Sequence, residues 1–346
     1  MNGDLAMRAG VRRAATRTQA LGGSGWAAIL LLSVLLGLGG VCEAQAPPQE
    51  ETDDRFQDCR YEVVAPKESA QATAGKTVGF PTGDVFRPLF ADPKQPQFFA
   101  SYQAVTRREP AAPIRDVGRS VNVGSVGFGE NFGLVGKRRG CNGWQVGILA
   151  GVFSQFNLDS SSSDLLNTDF VFGIPLTVRQ GLWSARVRLY HQSSHLGDEL
   201  VLGNPGFNRV NLSFEEVEAI GSLDAPGGWG RVYAGGGYLI HRTPDLHRNR
   251  VQWGAEFRGP SWHSVLFQRW LDRPFIATPV FGADFKVFEQ LGWVVNTNLL
   301  GGIEWVRPDI QRRFRLLLNY YRGFNQYGQF FSQKIESVGV GLYLAF

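Results

Sequence analysis

His191 and Ser193 lie two residues apart in the stretch Tyr190-His191-Gln192-Ser193-Ser194-His195. On an extended backbone both side chains leave the same face, and the imidazole is near enough to take the hydroxyl proton. The chemistry of such a pair is attack on an ester, with the serine as nucleophile and the histidine as base. A third group must then hold the imidazole in orientation. The nearest amide, Asn211, alternates with Arg209 and Ser213 against Val210, Leu212 and Phe214, so it is expected to point inward, away from the pair. On that ground His191, Ser193, Ser194, His195, Asp198 and Glu199 read as a hydrogen-bonded rim, and catalysis is the alternative.

Other chemistry is thinner. Asp159, Asp164 and Asp169 flank the Ser160–Ser163 run and offer oxygen ligands to a hard cation, although such residues in a solvated loop are ordinarily just a loop. The 5 histidines lack paired spacing, so no zinc site is expected. No Gly-rich phosphate loop follows a strand and opens a helix, and no cofactor is expected.

These residues need elements to place them. Trp183, Ala185, Val187 and Leu189 alternate with Arg186 and Arg188, so His191 and Ser193 continue the apolar row. The same period of two runs through 143–157 and 249–258, and through 280–288, 292–306 and 313–322. It ends the chain in Val338, Val340, Leu342, Leu344 and Phe346, a pattern like the terminal signal that outer-membrane barrels present to their assembly machinery. The faces opposite the apolar rows carry Arg186, Arg188, Glu256, Arg258, Asp284, Lys286, Glu304 and Arg315. A soluble core would pay several kcal/mol for each unpaired charge there, whereas a polar lumen accepts them. Trp293 and Trp305 are expected to bracket one apolar row, 12 positions apart. At a strand's rise and tilt that spacing spans roughly 30 Å, the distance between aromatic girdles.

The fold expected is therefore all-β: a transmembrane antiparallel barrel of about 12 strands at 97–346. The strands are placed at 97–105, 121–135, 143–157, 168–179, 182–193, 209–222, 230–241, 249–258, 280–288, 292–306, 313–322 and 333–346. An even count puts the tight turns at one side with the C-terminus and the long connections at the other. Residues 47–96, Pro-rich and opening on acids, read as a periplasmic extension without a core of its own. Residues 1–46 read as a signal peptide: four arginines, a 16-residue apolar run from Trp26 to Val41, and a cleavage site after Ala46.

Without that leader the chain carries 31 basic and 29 acidic side chains, which removes the electrostatic case for a nucleic-acid partner. Outer-membrane lipid is the expected partner, with the barrel assembly machinery engaged through Phe346. Cys59 and Cys141 remain after cleavage. The turn carrying Cys141 and the extension carrying Cys59 are expected on the same, oxidising side of the membrane, where they can pair. Two unrelated thiols are the alternative.

The stretches Phe86-Arg87-Pro88-Leu89-Phe90-Ala91-Asp92-Pro93, Gly151 to Phe156, Tyr190 to Glu199 and Arg209 to Ser213 together resemble the bacterial family catalogued as domain of unknown function 1207. The resemblance covers roughly 80–346. It implies an outer-membrane-type barrel and supplies no biochemical role. At His191 and Ser193 the chain is also similar to the outer-membrane phospholipase A family, which uses His-x-Ser on an outward strand face with an asparagine on the next strand orienting the histidine.

Three function classes follow: a barrel that passes or houses small polar solutes, a structural barrel of the bacterial envelope, and a lipid-active hydrolase built on His191 and Ser193. Mixed charge signs in a lumen of about twelve strands favour ion-pair filling over a wide pore. A narrow passage is expected ahead of catalysis.

Overall fold

The structure is a computed structural model and describes residues 75–107, 120–203, 209–265, 275–307 and 312–345. The leader at 1–46, Cys59 and Phe346 lie outside the described residues.

Among the described residues, alternation of apolar and polar residues gives fourteen strands in one antiparallel sheet. They are β1 (Thr77–Gly79), β2 (Phe98–Arg107), β3 (Ser120–Arg139), β4 (Asn142–Asn157), β5 (Leu165–Gln180), β6 (Trp183–Leu196) and β7 (Leu212–Asp224). There follow β8 (Gly230–Thr243), β9 (Asn249–Arg258), β10 (Trp262–Ser264), β11 (Phe275–Phe288), β12 (Asn296–Arg307), β13 (Arg312–Phe324) and β14 (Lys334–Ala345). Twelve of them close a barrel, because β14 pairs with β2 and β3 pairs with both β2 and β4. The short β1 and β10 lie alongside β3 and β11. Closure leaves no exposed edge, the condition for crossing a bilayer with strands. On β5 the outward row Phe170, Phe172, Ile174, Leu176 and Val178 is exposed along its length, as a lipid-facing surface requires. Pro175 cannot donate to a ladder, and the β4–β5 pairing is interrupted there.

Tight turns at 140–141, 181–182 and 225–229 share one rim with the end of β14. The connections at 158–164 and 325–333 share the other with residues 197–203 and 209–211, where a short helix, α1 (Asp198–Gly203), sits.

Two expectations fail. Trp293 is not on the strand of Trp305: Gly292 and Trp293 have φ of 67° and 61°, a left-handed turn that ends extension before β12 starts at Asn296. The girdle pair therefore does not exist on one strand. Trp305 does face outward, but it is covered, stacked on Phe314 and donating to Ser264 Oγ at 3.2 Å.

The second failure concerns 47–96. Among its described residues, the segment from Val85 to Gln95 is not a coreless extension. It fills the barrel. Val85, Phe86, Leu89, Phe90, Ala91, Asp92 and Gln95 are all buried. Phe86 and Leu89 pack with Ile220 and Tyr233, while Phe90 and Ala91 pack with Val280, Leu300, Leu317 and Tyr343. Gly282 makes room, since a Cβ there would sit 2.8 Å from the Phe90 ring. The segment has no strand or helix period, so its sequence carries no sign of an element. Its apolar side chains still need burial, and its charges have partners only in the lumen.

Candidate functional site

Along β6 the parity is as the alternation dictates. Trp183, Val187 and Leu189 face out and are exposed, while Ser184, Arg186, Arg188, Tyr190, Gln192 and Ser194 are buried inside. His191 and Ser193 are therefore on the outer surface near the long-loop rim. Phe172 is registered opposite His191 and Phe170 opposite Ser193.

On β7 the structure reverses the expected faces. Leu212 and Phe214 point inward and Ser213 outward. Asn211 is exposed just ahead of the strand. The cause is the connection 325–333, which folds into the barrel mouth. Its Tyr327 and Phe330 form an apolar cluster with Leu149, Phe153, Val171 and Tyr190, against which Phe214 packs. Gln329 Nε2 donates to the Ser194 carbonyl at 2.8 Å and anchors it. With an apolar lining at that height, Leu212 and Phe214 are buried by turning inward, so the rule that apolar residues face lipid fails locally.

The reversal has a chemical consequence. Glu215 now faces outward, directly opposite His191 in the β6–β7 register. Its Oε1 lies 2.8 Å from His191 Nδ1, and its Oε2 lies 2.9 Å from His241 Nδ1 on β8. A bulge makes the second contact possible: Glu216 pairs with Leu239 and Glu215 with His241, leaving Ile240 as the extra residue. The cluster is half in solvent, with His191, Glu215 and His241 side chains 43%, 37% and 75% exposed. Ser213 is registered opposite Ser193. The Ser193 hydroxyl makes no hydrogen bond among the described residues. Its backbone position is two residues, about 6.6 Å, along the strand from His191. The orienting group that Asn211 does not supply is thus a carboxylate. The signal for it was the parity of Val217, Ala219 and Gly221 further down β7, carried back to Glu215.

All eight inward charges singled out in the sequence line the lumen, and each is engaged. Glu218 accepts from Arg186 at 2.9 Å and from Arg188 and Arg250 at 2.7 Å. Glu304 accepts from Arg315 at 2.6 Å and also from Arg258. Glu256 binds Arg231 and accepts from the Phe90 N–H at 2.9 Å. Lys286 is paired with Asp92 and lies 4.0 Å from Asp284. Sequence reasoning missed the partners that the inserted segment brings: Arg87 to Asp224, Lys94 to Asp169 at 2.6 Å, and Gln95 to Arg186 at 2.9 Å.

The three aspartates do not converge. Asp159 accepts from Asn122 N at 2.9 Å and Nδ2 at 2.6 Å, Asp164 accepts from Ser162 while its N–H donates to Ser160 Oγ at 2.7 Å, and Asp169 is buried on Lys94 and Asn167. Among the described residues no group of three or more His, Cys, Asp or Glu is placed to hold a metal. Cys141, in the β3–β4 turn, is disulfide-bonded. The expected partner Cys59 lies outside the described residues.

Solved structures similar to this chain are barrels. The calcium-bound outer membrane phospholipase dimer of Salmonella typhi is 14% identical with a TM-score of 0.48, covering 73% of this chain and 93% of that one. Outer membrane phospholipase A of Escherichia coli is 15% identical with a TM-score of 0.48, covering 72% and 96%. LpxR of Salmonella typhimurium is 11% identical with a TM-score of 0.33, covering 72% and 99%. No curated protein matches the chain. A family model matches residues 33–346, nearly the whole length, and the chain belongs to that family, described as protein of unknown function (DUF1207).

Proposed function

We propose that this protein is a bacterial outer-membrane barrel that cleaves acyl esters of membrane lipid at its outer rim, using Ser193, His191 and Glu215. The observation that carries the reading is the Glu215 carboxylate on His191 Nδ1, with Ser193 next along the same outward face. A carboxylate on Nδ1 fixes the tautomer whose Nε2 accepts a proton. Ser193 Oγ attacks the ester carbonyl carbon while its proton passes to Nε2, and Glu215 stabilises the imidazolium. Collapse of the tetrahedral intermediate breaks the bond to the alcohol oxygen, which takes the Nε2 proton. Water then repeats the cycle on the acyl-serine and releases the acid. Apical catalytic contacts of this kind often tighten only when substrate binds. The exposed Phe170 and Phe172 beside Ser193 and His191 give an acyl chain an apolar surface to lie on.

Passage through the lumen is opposed by the inserted segment, whose ion pairs and apolar contacts span the barrel. Placement in the outer membrane, export by the leader and recognition of the last strand through Phe346 belong to the same reading. They rest on the lipid-facing rows and the terminal alternation.

The test is hydrolysis of phospholipid by refolded full-length protein in mixed micelles. Released fatty acid is expected from the wild type and a loss of about 10³-fold or more from Ser193→Ala, with the heat-modifiable barrel band unchanged. Wild-type protein that folds and releases no acid from phospholipid or lipopolysaccharide overturns the proposal.

A further inference from the structure

The carboxylate that orients His191 has a second oxygen, and a second histidine holds it. Glu215 Oε2 lies 2.9 Å from His241 Nδ1, as Oε1 lies 2.8 Å from His191 Nδ1. An ionised carboxylate only accepts, so both rings donate from Nδ1. Glu215 is 37% exposed, so each pair taken alone is weak and water competes for the oxygens. The terminal torsion of a glutamate is broad. Held by one oxygen, the carboxylate can turn and release the ring, whereas a grip on both oxygens fixes its plane.

Strand β8 is bent to supply that second grip. Had the pairing run on unbroken from Glu216 and Leu239, Glu215 would meet Ile240 and His241 would point to the lumen beside Phe214. The bulge turns His241 to the outer face instead, as bulges beside active sites re-aim a side chain. One side chain clamps it: Arg248 Nη1 donates to the Leu239 carbonyl at 2.7 Å and to the Ile240 carbonyl at 2.8 Å. The Leu239 N–H in turn donates to the Arg248 carbonyl at 2.9 Å, and the Arg248 guanidinium carbon lies 5.5 Å from the centre of the Tyr238 ring.

We infer that His241 is a positioning residue for ester cleavage: by holding Oε2 it locks Glu215, so that Oε1 stays on His191 Nδ1 and His191 Nε2 stays open to the Ser193 proton. The inference rests on the hydrolase reading. His241 acts through Glu215, because two strand spacings, about 10 Å, separate β8 from the nucleophile on β6.

Refolded full-length protein in mixed phospholipid micelles is assayed for released fatty acid, and nitrogen-15 spectra of its histidine rings are recorded, with His191 assigned from His191→Gln. In the wild type, His191 is expected as a single Nδ1–H tautomer. His241→Ala is expected to mix the two tautomers and to lower kcat at least tenfold while KM holds. His241→Asn keeps a donor where Nδ1 was, and should restore the single tautomer and bring kcat within threefold of wild type; His241→Gln should do neither. The His241 side chain is 75% exposed, so the heat-modifiable band is expected in all three variants. A His191 tautomer that His241→Ala leaves unchanged, or an Asn variant no better than Gln, overturns the inference. Wild-type protein that releases no acid overturns the hydrolase reading instead, and the ring spectra then decide alone whether His241 positions His191.

Discussion

Glu215 and Glu218 sit three residues apart on β7, one facing lipid and the other the lumen. Glu218 is fully buried under Arg186, Arg188 and Arg250. Glu215 is more than a third exposed and holds two histidines. The difference teaches how one residue type acquires two roles. An enclosed carboxylate met by three guanidinium groups has no edge left for chemistry, and its removal strands cations. A rim carboxylate with two imidazoles contributes little to stability, and each ring keeps its Nε2 for another task.

The comparison breaks most visibly in stability. Glu218→Gln should cost about 3–5 kcal/mol, because the buried Arg186 and Arg188 lose their counter-charge and Arg250 is left with Glu216 alone. Glu215→Gln should cost less than about 1 kcal/mol. Urea titration of the heat-modifiable band measures both, and equal costs would erase the distinction between lumen and rim.

A covalent tether sharpens the lumen side. A Cys59–Cys141 bridge would anchor the chain leading into the inserted segment, closing a loop of about 80 residues and contributing about 4 kcal/mol in the simple entropy model. Non-reducing peptide mapping of protein from native envelopes should yield the linked pair. Recovery of Cys59 as a free thiol would rule the bridge out.

Bilayer-facing and lumen-facing positions on β12 provide the next contrast. Leu299→Arg should cost about 2–4 kcal/mol at mid-membrane. An empty lumen would tolerate Asn298→Arg far better. Here Asn298 donates to the Ala91 carbonyl at 2.7 Å and accepts from Asn319 at 2.7 Å, so the arginine must displace the inserted segment and should cost at least as much. An Asn298→Arg barrel markedly more stable than Leu299→Arg would mean that the segment does not occupy the lumen in the membrane.

The smallest effect belongs to Glu215 as a positioning residue. Glu215→Ala should lower kcat for lipid hydrolysis about a hundredfold, equivalent to about 2.7 kcal/mol, while KM holds and Glu215→Asp recovers part of the rate. A fall in both variants that tracks lost barrel stability would assign Glu215 a structural role instead.

Much of the barrel was legible because a strand's period is two and the two sides of a membrane barrel differ sharply in polarity. That contrast placed Arg186, Arg188, Asp284 and Lys286 inside and His191 and Ser193 outside from composition alone. It failed where the polarity contrast itself fails. At the mouth of the lumen the inside is apolar, so Leu212 and Phe214 were assigned to the wrong face, and Glu215 was overlooked beside His191. It failed again at Trp293, where two left-handed residues end the extended chain without any change in hydropathy.

The sequence by itself determined the class of fold, the number of barrel strands and, away from the mouth of the lumen, the chemical character of the two faces, because all three are written in local alternation. Tertiary structure alone decided that residues 85–95 fill the lumen, that the connection 325–333 closes over its mouth, and that a glutamate stands beside the histidine. Each of those depends on contacts between residues far apart in the chain, some separated by more than 150 positions, as in Phe90 with Glu256 or Lys286 with Asp92. No periodicity within a segment encodes which distant charge or apolar surface will meet it, since burial and pairing are properties of the closed barrel.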